Sequence, residues 1–196
     1  MRLALVSTRI IESSHKEPHF SVSKDLVKLL SGFEFDSILV TEAIESANEL
    51  IASLKPDLIV LSGGEDVGVN LTRDSLEYKL LRESIPREIP VLGICRGMQI
   101  ISTFLGGELF SIENHVGDSH QVNNSDGTRS FKVNSFHNFA VSNISDDLEV
   151  DLTSVDGVIE SVRHKNYPWL GIMWHPERKG NDVASMEILE EFFKAK

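Results

Sequence analysis

The 196-residue sequence contains one cysteine, Cys95, and so cannot close an internal disulfide. Nor does it hold an apolar run long enough to span a bilayer: Val91 to Leu105 is interrupted by Arg96, Gln99 and two glycines. The opening Met1-Arg2-Leu3-Ala4-Leu5-Val6-Ser7 is too short in apolar length for the core of a secretory signal. These absences lead to the expectation of a soluble protein in a reducing compartment, the cytoplasm, with no membrane contact. Positive charge is also scarce. Lys and Arg number 19 against 30 Asp and Glu, a formal net charge of -11, and such a field repels nucleic acid and anionic lipid. The acidic residues are dispersed rather than gathered in a tail, the pattern of a solvated surface, and name no partner. No repeat, low-complexity tract or linker divides the chain. Residues 1–196 therefore read as one domain, with 41% hydrophobic residues to fill one core.

Hydrophobic patterning separates two halves. In the first, Leu3 to Ser7, Phe35 to Val40, Asp57 to Leu61 and Pro90 to Ile94 read as strands, while Thr8 to Phe20 reads as a loop. Between them lie helical patterns from Ser21 to Gly32, over Ala43 to Leu54 and over Thr72 to Ile85. Strands that are apolar throughout, alternating with helices, predict a parallel sheet covered on both faces. Past Gly107 the sequence breaks into short strand-like pieces, Phe131 to Val133, Phe139 to Val141, Leu148 to Leu152, Val158 to Val162 and Leu170 to Trp174. These extend the sheet and build an antiparallel patch. A last amphipathic helix covers Val183 to Phe193.

Chemistry concentrates at three places. Gly93-Ile94-Cys95-Arg96-Gly97 joins a strand to a helix beginning at Arg96, the setting of a nucleophile elbow. Glycines two residues to each side remove side chains that would clash at so sharp a turn. A helix N-terminus also favours a thiolate over a thiol. A free cysteine is more often an inert buried thiol, but packing alone gives no reason for its bracketing glycines. The second place, Trp174-His175-Pro176-Glu177, follows another apolar strand. If the chain stays extended through Pro176, His175 and Glu177 project to one side, so that the carboxylate orients the imidazole as a base for Cys95. The third, Ser62-Gly63-Gly64, ends a strand at the same sheet edge, where open α/β sheets bind ligands. There the N–H groups of Gly64 and Arg96 form a candidate oxyanion hole.

Other residues are weaker candidates. Glu113, His115, Asp118 and His120 cluster in a predicted loop, but their spacing matches no defined metal site, and no metal is expected. Trp169, Trp174 and the phenylalanines read as core or wall and not as nucleic-acid stacking platforms. Arg9, His15, His19, Arg73 and Arg96 are weighed as phosphate contacts, with a solvated surface role as the expectation for each.

The order Ser62-Gly63-Gly64, Gly93 to Gln99, then His175-Pro176-Glu177 resembles the class I glutamine amidotransferase superfamily. Within it, Cys95-Arg96-Gly97-Met98-Gln99, Gly106-Gly107, Val133-Asn134-Ser135-Phe136-His137, Asp156-Gly157-Val158-Ile159-Glu160 and Trp174-His175-Pro176-Glu177 are similar to the γ-glutamyl hydrolases of peptidase family C26. The resemblance implies a flavodoxin-like three-layer α/β sandwich with a mostly parallel central sheet. It implies hydrolysis of a small γ-glutamyl amide through a Cys95 thioester, with His175 and Glu177 completing the triad and no cofactor. Gln99 and the backbone around Asn134, Ser135 and Phe136 would hold the glutamyl group, with Gly63, Gly64 and His137 alongside. The short stretch from Gly64 to Thr72 leaves little room for a lid and suggests a leaving group bulkier than a simple diamine. Two other readings stay open: a glutaminase subunit passing ammonia to a partner synthase, and a non-enzymatic binding protein in which Cys95 senses redox state.

Overall fold

The computed structural model describes residues 2–194. Alternate residues of β1 (Arg2–Ser7) enter two different cores: Ala4 and Val6 pack on one face of the sheet, Leu5 on the other. That division follows from the two-residue period of a strand buried on both sides. β1 lies between β4 (Phe35–Val40) and β5 (Leu58–Leu61), and β6 (Val91–Ile94) and β13 (Trp169–Ile172) continue the sheet, all four pairings being parallel. α1 (Lys24–Gly32) and α5 (Ala184–Lys194) cover one face with Leu26, Leu30, Ile188 and Leu189. α2 (Ala47–Leu54), α3 (Leu71–Ser84) and α4 (Arg96–Phe104) cover the other with Ile51, Leu76, Leu80 and Ile101. The result is the three-layer α/β sandwich expected from the sequence.

Beyond β13 the sheet turns antiparallel through β12 (Ile159–His164), β11 (Leu148–Ser154), β8 (Val116–Asn123) and β9 (Ser130–Phe136). Two further strand pairs stand apart: β2 (Arg9–Glu12) with β3 (Pro18–Ser21), and β7 (Glu108–Ser111) with β10 (Phe139–Ser142). Three local expectations need correction. Thr8 to Phe20 is mostly a hairpin and not a loop; its apolar residues Ile10, Ile11 and Phe20 are exposed, so no core-facing alternation marks it. The segment carrying His120 is strand β8, whose polar Ser119 to Gln121 finds its partners in β9. α2 starts at Ala47, not Ala43, because the Ser46 side chain caps it by accepting from the Glu49 N–H at 3.2 Å. Among the described residues, no helix is long and apolar enough to cross a membrane.

Arg73 and Arg96, expected at the surface, are instead fully buried between α3 and α4. Arg73 Nε meets Glu77 Oε1 at 3.1 Å and its Nη1 meets Glu65 at 2.9 Å, while Arg96 pairs with both Asp74 and Glu77. The Ser7 hydroxyl donates to the same Glu77 oxygen at 2.6 Å, and Arg73 Nη2 donates to the Ser62 carbonyl at 2.7 Å. Glu77 thus links β1, α3 and α4 beneath the sheet edge that carries the candidate site. Leaving two buried guanidinium groups without it is costly, so Glu77→Ala should destabilise the fold by about 3–5 kcal/mol. Urea unfolding checks this; a loss under about 1 kcal/mol, the scale of an exposed ion pair, would contradict the arrangement.

Candidate active site

Cys95 sits between the end of β6 and the first turn of α4 with φ 53° and ψ −105°, outside the regions that L-residues populate freely. Its N–H is tied to the Ile172 carbonyl at 2.7 Å, which fixes the turn to β13. The two flanking glycines are required by close approach. A Cβ on Gly93 would lie 2.6 Å from the Gly97 carbonyl, and one on Gly97 would collide with the Leu61 carbonyl. The elbow therefore packs directly on the ends of β5 and β6.

The thiol is only 7% exposed, and burial pushes its pKa up to about 12. The Arg96 N–H and the Arg178 charge pull the other way, while Glu177 and Glu160 add to the rise. The helix N-terminus thus acts in the direction expected from the sequence but loses to desolvation. Burial thus favours the neutral thiol, against the pull of the helix N-terminus toward the thiolate.

His175 and Glu177 are both buried, and His175 Nδ1 lies 2.8 Å from Glu177 Oε1. The His175 backbone is held on both sides by one side chain: its N–H donates to Asn134 Oδ1 at 2.9 Å and its carbonyl accepts from Asn134 Nδ2 at 2.8 Å. Asn181 donates to the same carbonyl at 2.9 Å and accepts from the Asn134 N–H at 2.8 Å. The imidazole lies against Gly63, where a Cβ would come within 2.6 Å of His175 Cε1. Phe136 faces it edge-on at 5.9 Å, with the Arg178 guanidinium 4.8 Å over the Phe136 ring.

Ser62, Gly63 and Gly64 follow β5, next to β6, at the same carboxyl edge as Cys95. Arg73 donates to the Ser62 and Gly63 carbonyls from below. Because a trans peptide opposes its C=O and N–H, the Gly64 N–H points away from Arg73. A cleft lined by Arg9, Ser62, Gly63, His175, Glu177 and Arg178 opens beside the imidazole. Arg9 is the one guanidinium among the five candidate phosphate contacts that lines it.

The remaining expected site residues divide. Gln99 is one helical turn along α4 from Cys95, and its Nε2 donates to the Phe139 carbonyl at 3.0 Å. Asn134 is committed to His175 through its side chain and to Asn181 through its N–H. The Ser135 hydroxyl donates to the His115 carbonyl at 2.6 Å, and His137 is buried against His115 instead of lining the cleft. Asn181 and Arg178 were missed. Both lie in the irregular segment after Glu177, where no periodicity marks a polar residue as inward-facing.

The family model of peptidase C26 matches residues 12–177. The chain belongs to the peptidase C26 family. It is a hydrolase of the broad γ-glutamyl hydrolase and glutamine amidotransferase-like kind. A γ-glutamyl-CDP-amidate hydrolase of Campylobacter jejuni is 37% identical over 141 residues, 69% of this chain and 68% of that protein. The carbamoyl phosphate synthase small chain of Aquifex aeolicus is 34% identical over 163 residues, covering 76% of this chain but only 40% of its own length. The fold is shared with a glutamine amidotransferase of Thermotoga maritima, with a TM-score of 0.67 and 18% identity over 99% of this chain and 83% of that one.

A thiol raised to about 12 should react slowly at neutral pH. Iodoacetamide labelling of Cys95 in the free protein should keep accelerating as pH passes the ordinary thiol value of about 8.5. A plateau at or below that value would show a thiolate-stabilising site instead.

Proposed function

We propose that Cys95, His175 and Glu177 hydrolyse a γ-glutamyl amide bond, and that residues 1–196 form one domain dedicated to this reaction. The observation that carries the reading is the His175–Glu177 pair, locked by Asn134 at the sheet edge that presents a strained Cys95. With Nδ1 donating to Glu177, the other imidazole nitrogen is left as an acceptor. A bound substrate brings its γ-carbonyl to Cys95; the thiol proton passes to His175 Nε2 as sulfur attacks. The oxyanion that forms is met by the Gly64 and Arg96 N–H groups. Collapse breaks the C–N bond, and the imidazolium returns its proton to the departing nitrogen. Water, deprotonated by His175, then cleaves the γ-glutamyl thioester to glutamate and restores the thiol. The Gln99 amide, with Nε2 held by Phe139, offers its oxygen to the substrate α-ammonium. Phe136 and the backbone beside it close the glutamyl end of the site.

The leaving group is read as anionic, because Arg9 and Arg178 both line the cleft next to His175. The similarity to a γ-glutamyl-CDP-amidate hydrolase supports the same choice: glutamate and cytidine diphosphoramidate would be the products, a reaction of capsule biosynthesis. The similarity to an amidotransferase small chain supports a second reading, in which glutamine is the substrate and a partner synthase takes the ammonia.

Cys95→Ala should abolish turnover of γ-glutamyl-CDP-amidate by the isolated chain. Arg9→Ala should lower kcat/KM for it by about 10- to 100-fold, the worth of a charged hydrogen bond, while sparing the γ-glutamyl amide of an uncharged amine. Equal losses on both compounds would remove the anionic leaving group. Turnover of glutamine alone, and only with a partner added, would establish the second reading.

A further inference from the structure

Four side chains outside the proposed triad meet in the antiparallel half of the sheet. His115 precedes β8, His120 lies on it, His137 follows β9 and Glu160 belongs to β12. Glu160 is fully buried, and its Oε1 lies 3.1 Å from His120 Nε2, 3.4 Å from His137 Nε2 and 3.5 Å from His115 Nδ1. His115 Nδ1 and His137 Nε2 are 3.3 Å apart. In spite of these distances, neither Glu160 oxygen nor His120 Nε2 makes an aligned hydrogen bond. A buried carboxylate left in this state is costly unless a cation answers it.

The far sides of two imidazoles are fixed. His137 Nδ1 lies 3.0 Å from the Phe139 carbonyl, and His115 Nε2 lies 3.0 Å from Asp156 Oδ2. The Phe139 carbonyl can only accept, so His137 Nδ1 carries the proton and His137 Nε2 keeps its lone pair. The Asp156 carboxylate likewise accepts from His115 Nε2, which turns Nδ1 toward Glu160 Oε1 and His137 Nε2. Orienting a ligand imidazole through a carbonyl or carboxylate on its second nitrogen is how proteins present a lone pair to a metal.

Distance selects the ion. In a tetrahedral zinc site with bonds of about 2.0–2.1 Å, neighbouring ligand atoms stand about 3.3–3.4 Å apart. Four of the six separations among these atoms run from 3.1 to 3.5 Å, and the ligand atoms of His115, His120 and Glu160 all lie within 4.8 Å of one another. Larger oxygen-seeking ions such as Ca²⁺ want more ligands and longer bonds, and three imidazoles with one carboxylate suit a borderline divalent ion.

We propose that His115, His120 and Glu160, with His137 as fourth ligand, bind a structural divalent ion of the zinc type. The ion joins β8 and β12 to the end of β9, the strand that delivers Asn134 to His175. Sequence spacing concealed the site because its ligands are spread over 46 positions and brought together only by strand pairing: His120 is opposite Val133, and Met173 N–H binds the Glu160 carbonyl. Of the four residues weighed as ligands from the sequence, His115 and His120 belong to this group.

The test uses the full chain, stripped with a chelator and titrated with Co²⁺ and Zn²⁺. The expected result is one equivalent of Co²⁺ giving the intense visible bands of a tetrahedral site, displaced by Zn²⁺, with a rise in Tm on Zn²⁺ addition. His120→Ala and Glu160→Gln should each weaken Zn²⁺ binding by at least about 10-fold, read by competition with a chromophoric chelator. A wild-type chain that binds no stoichiometric Co²⁺ or Zn²⁺ would overturn the proposal and leave a proton shared within the cluster. So would Zn²⁺ affinity unchanged in both variants. The wild-type titration needs no variant to fold, and it reads binding independently of the hydrolytic reaction.

Discussion

At Cys95 the chain leaves β6 with φ 53° and enters α4 in the next residue. Holding a non-glycine residue there costs on the order of 1–3 kcal/mol, and the surroundings offset it by leaving no alternative path. Gly97 rests on the Leu61 carbonyl, Gly93 rests on Gly97, and the Cys95 N–H is bound to Ile172. Everything that makes the edge a site depends on this turn. It sends Arg96 into the core to meet Glu77 and Asp74, and it sets Gln99 one turn from the sulfur. It also brings the end of β5, with Ser62 to Gly64, beside Cys95.

The same burial that fixes the turn suppresses the reactivity of the thiol. Desolvation outweighs the helix N-terminus and favours the protonated thiol. The investment in orientation is correspondingly large. His175 is fixed by Glu177 at its ring, Asn134 at both backbone groups and Gly63 at its face.

How much of this was readable follows from the range of the interactions. The parallel strands and their helices were legible because each buries a continuous apolar run, and the elbow because glycines at fixed offsets leave a local mark. The 2.8 Å His175–Glu177 contact was legible for the same reason, being two residues apart. What escaped was non-local and polar. β7 and β8 are half exposed and owe their existence to distant partners, so their patterning is weak. Arg73 and Arg96 look like surface residues until Glu77 and Asp74 are known to face them. The backbone around Asn134 was read as a substrate neighbour, but that its side chain holds His175 left no local mark, and Asn181, its counterpart, left none either.

The central claim is that Cys95 carries the glutamyl group during turnover. Acid quenching of the wild-type protein during reaction with γ-glutamyl-CDP-amidate, followed by peptide mass spectrometry, tests it most directly. A glutamyl adduct on the peptide containing Cys95, absent from Cys95→Ser, is the predicted result. Continued turnover by Cys95→Ser, or an adduct on another residue, would contradict the account.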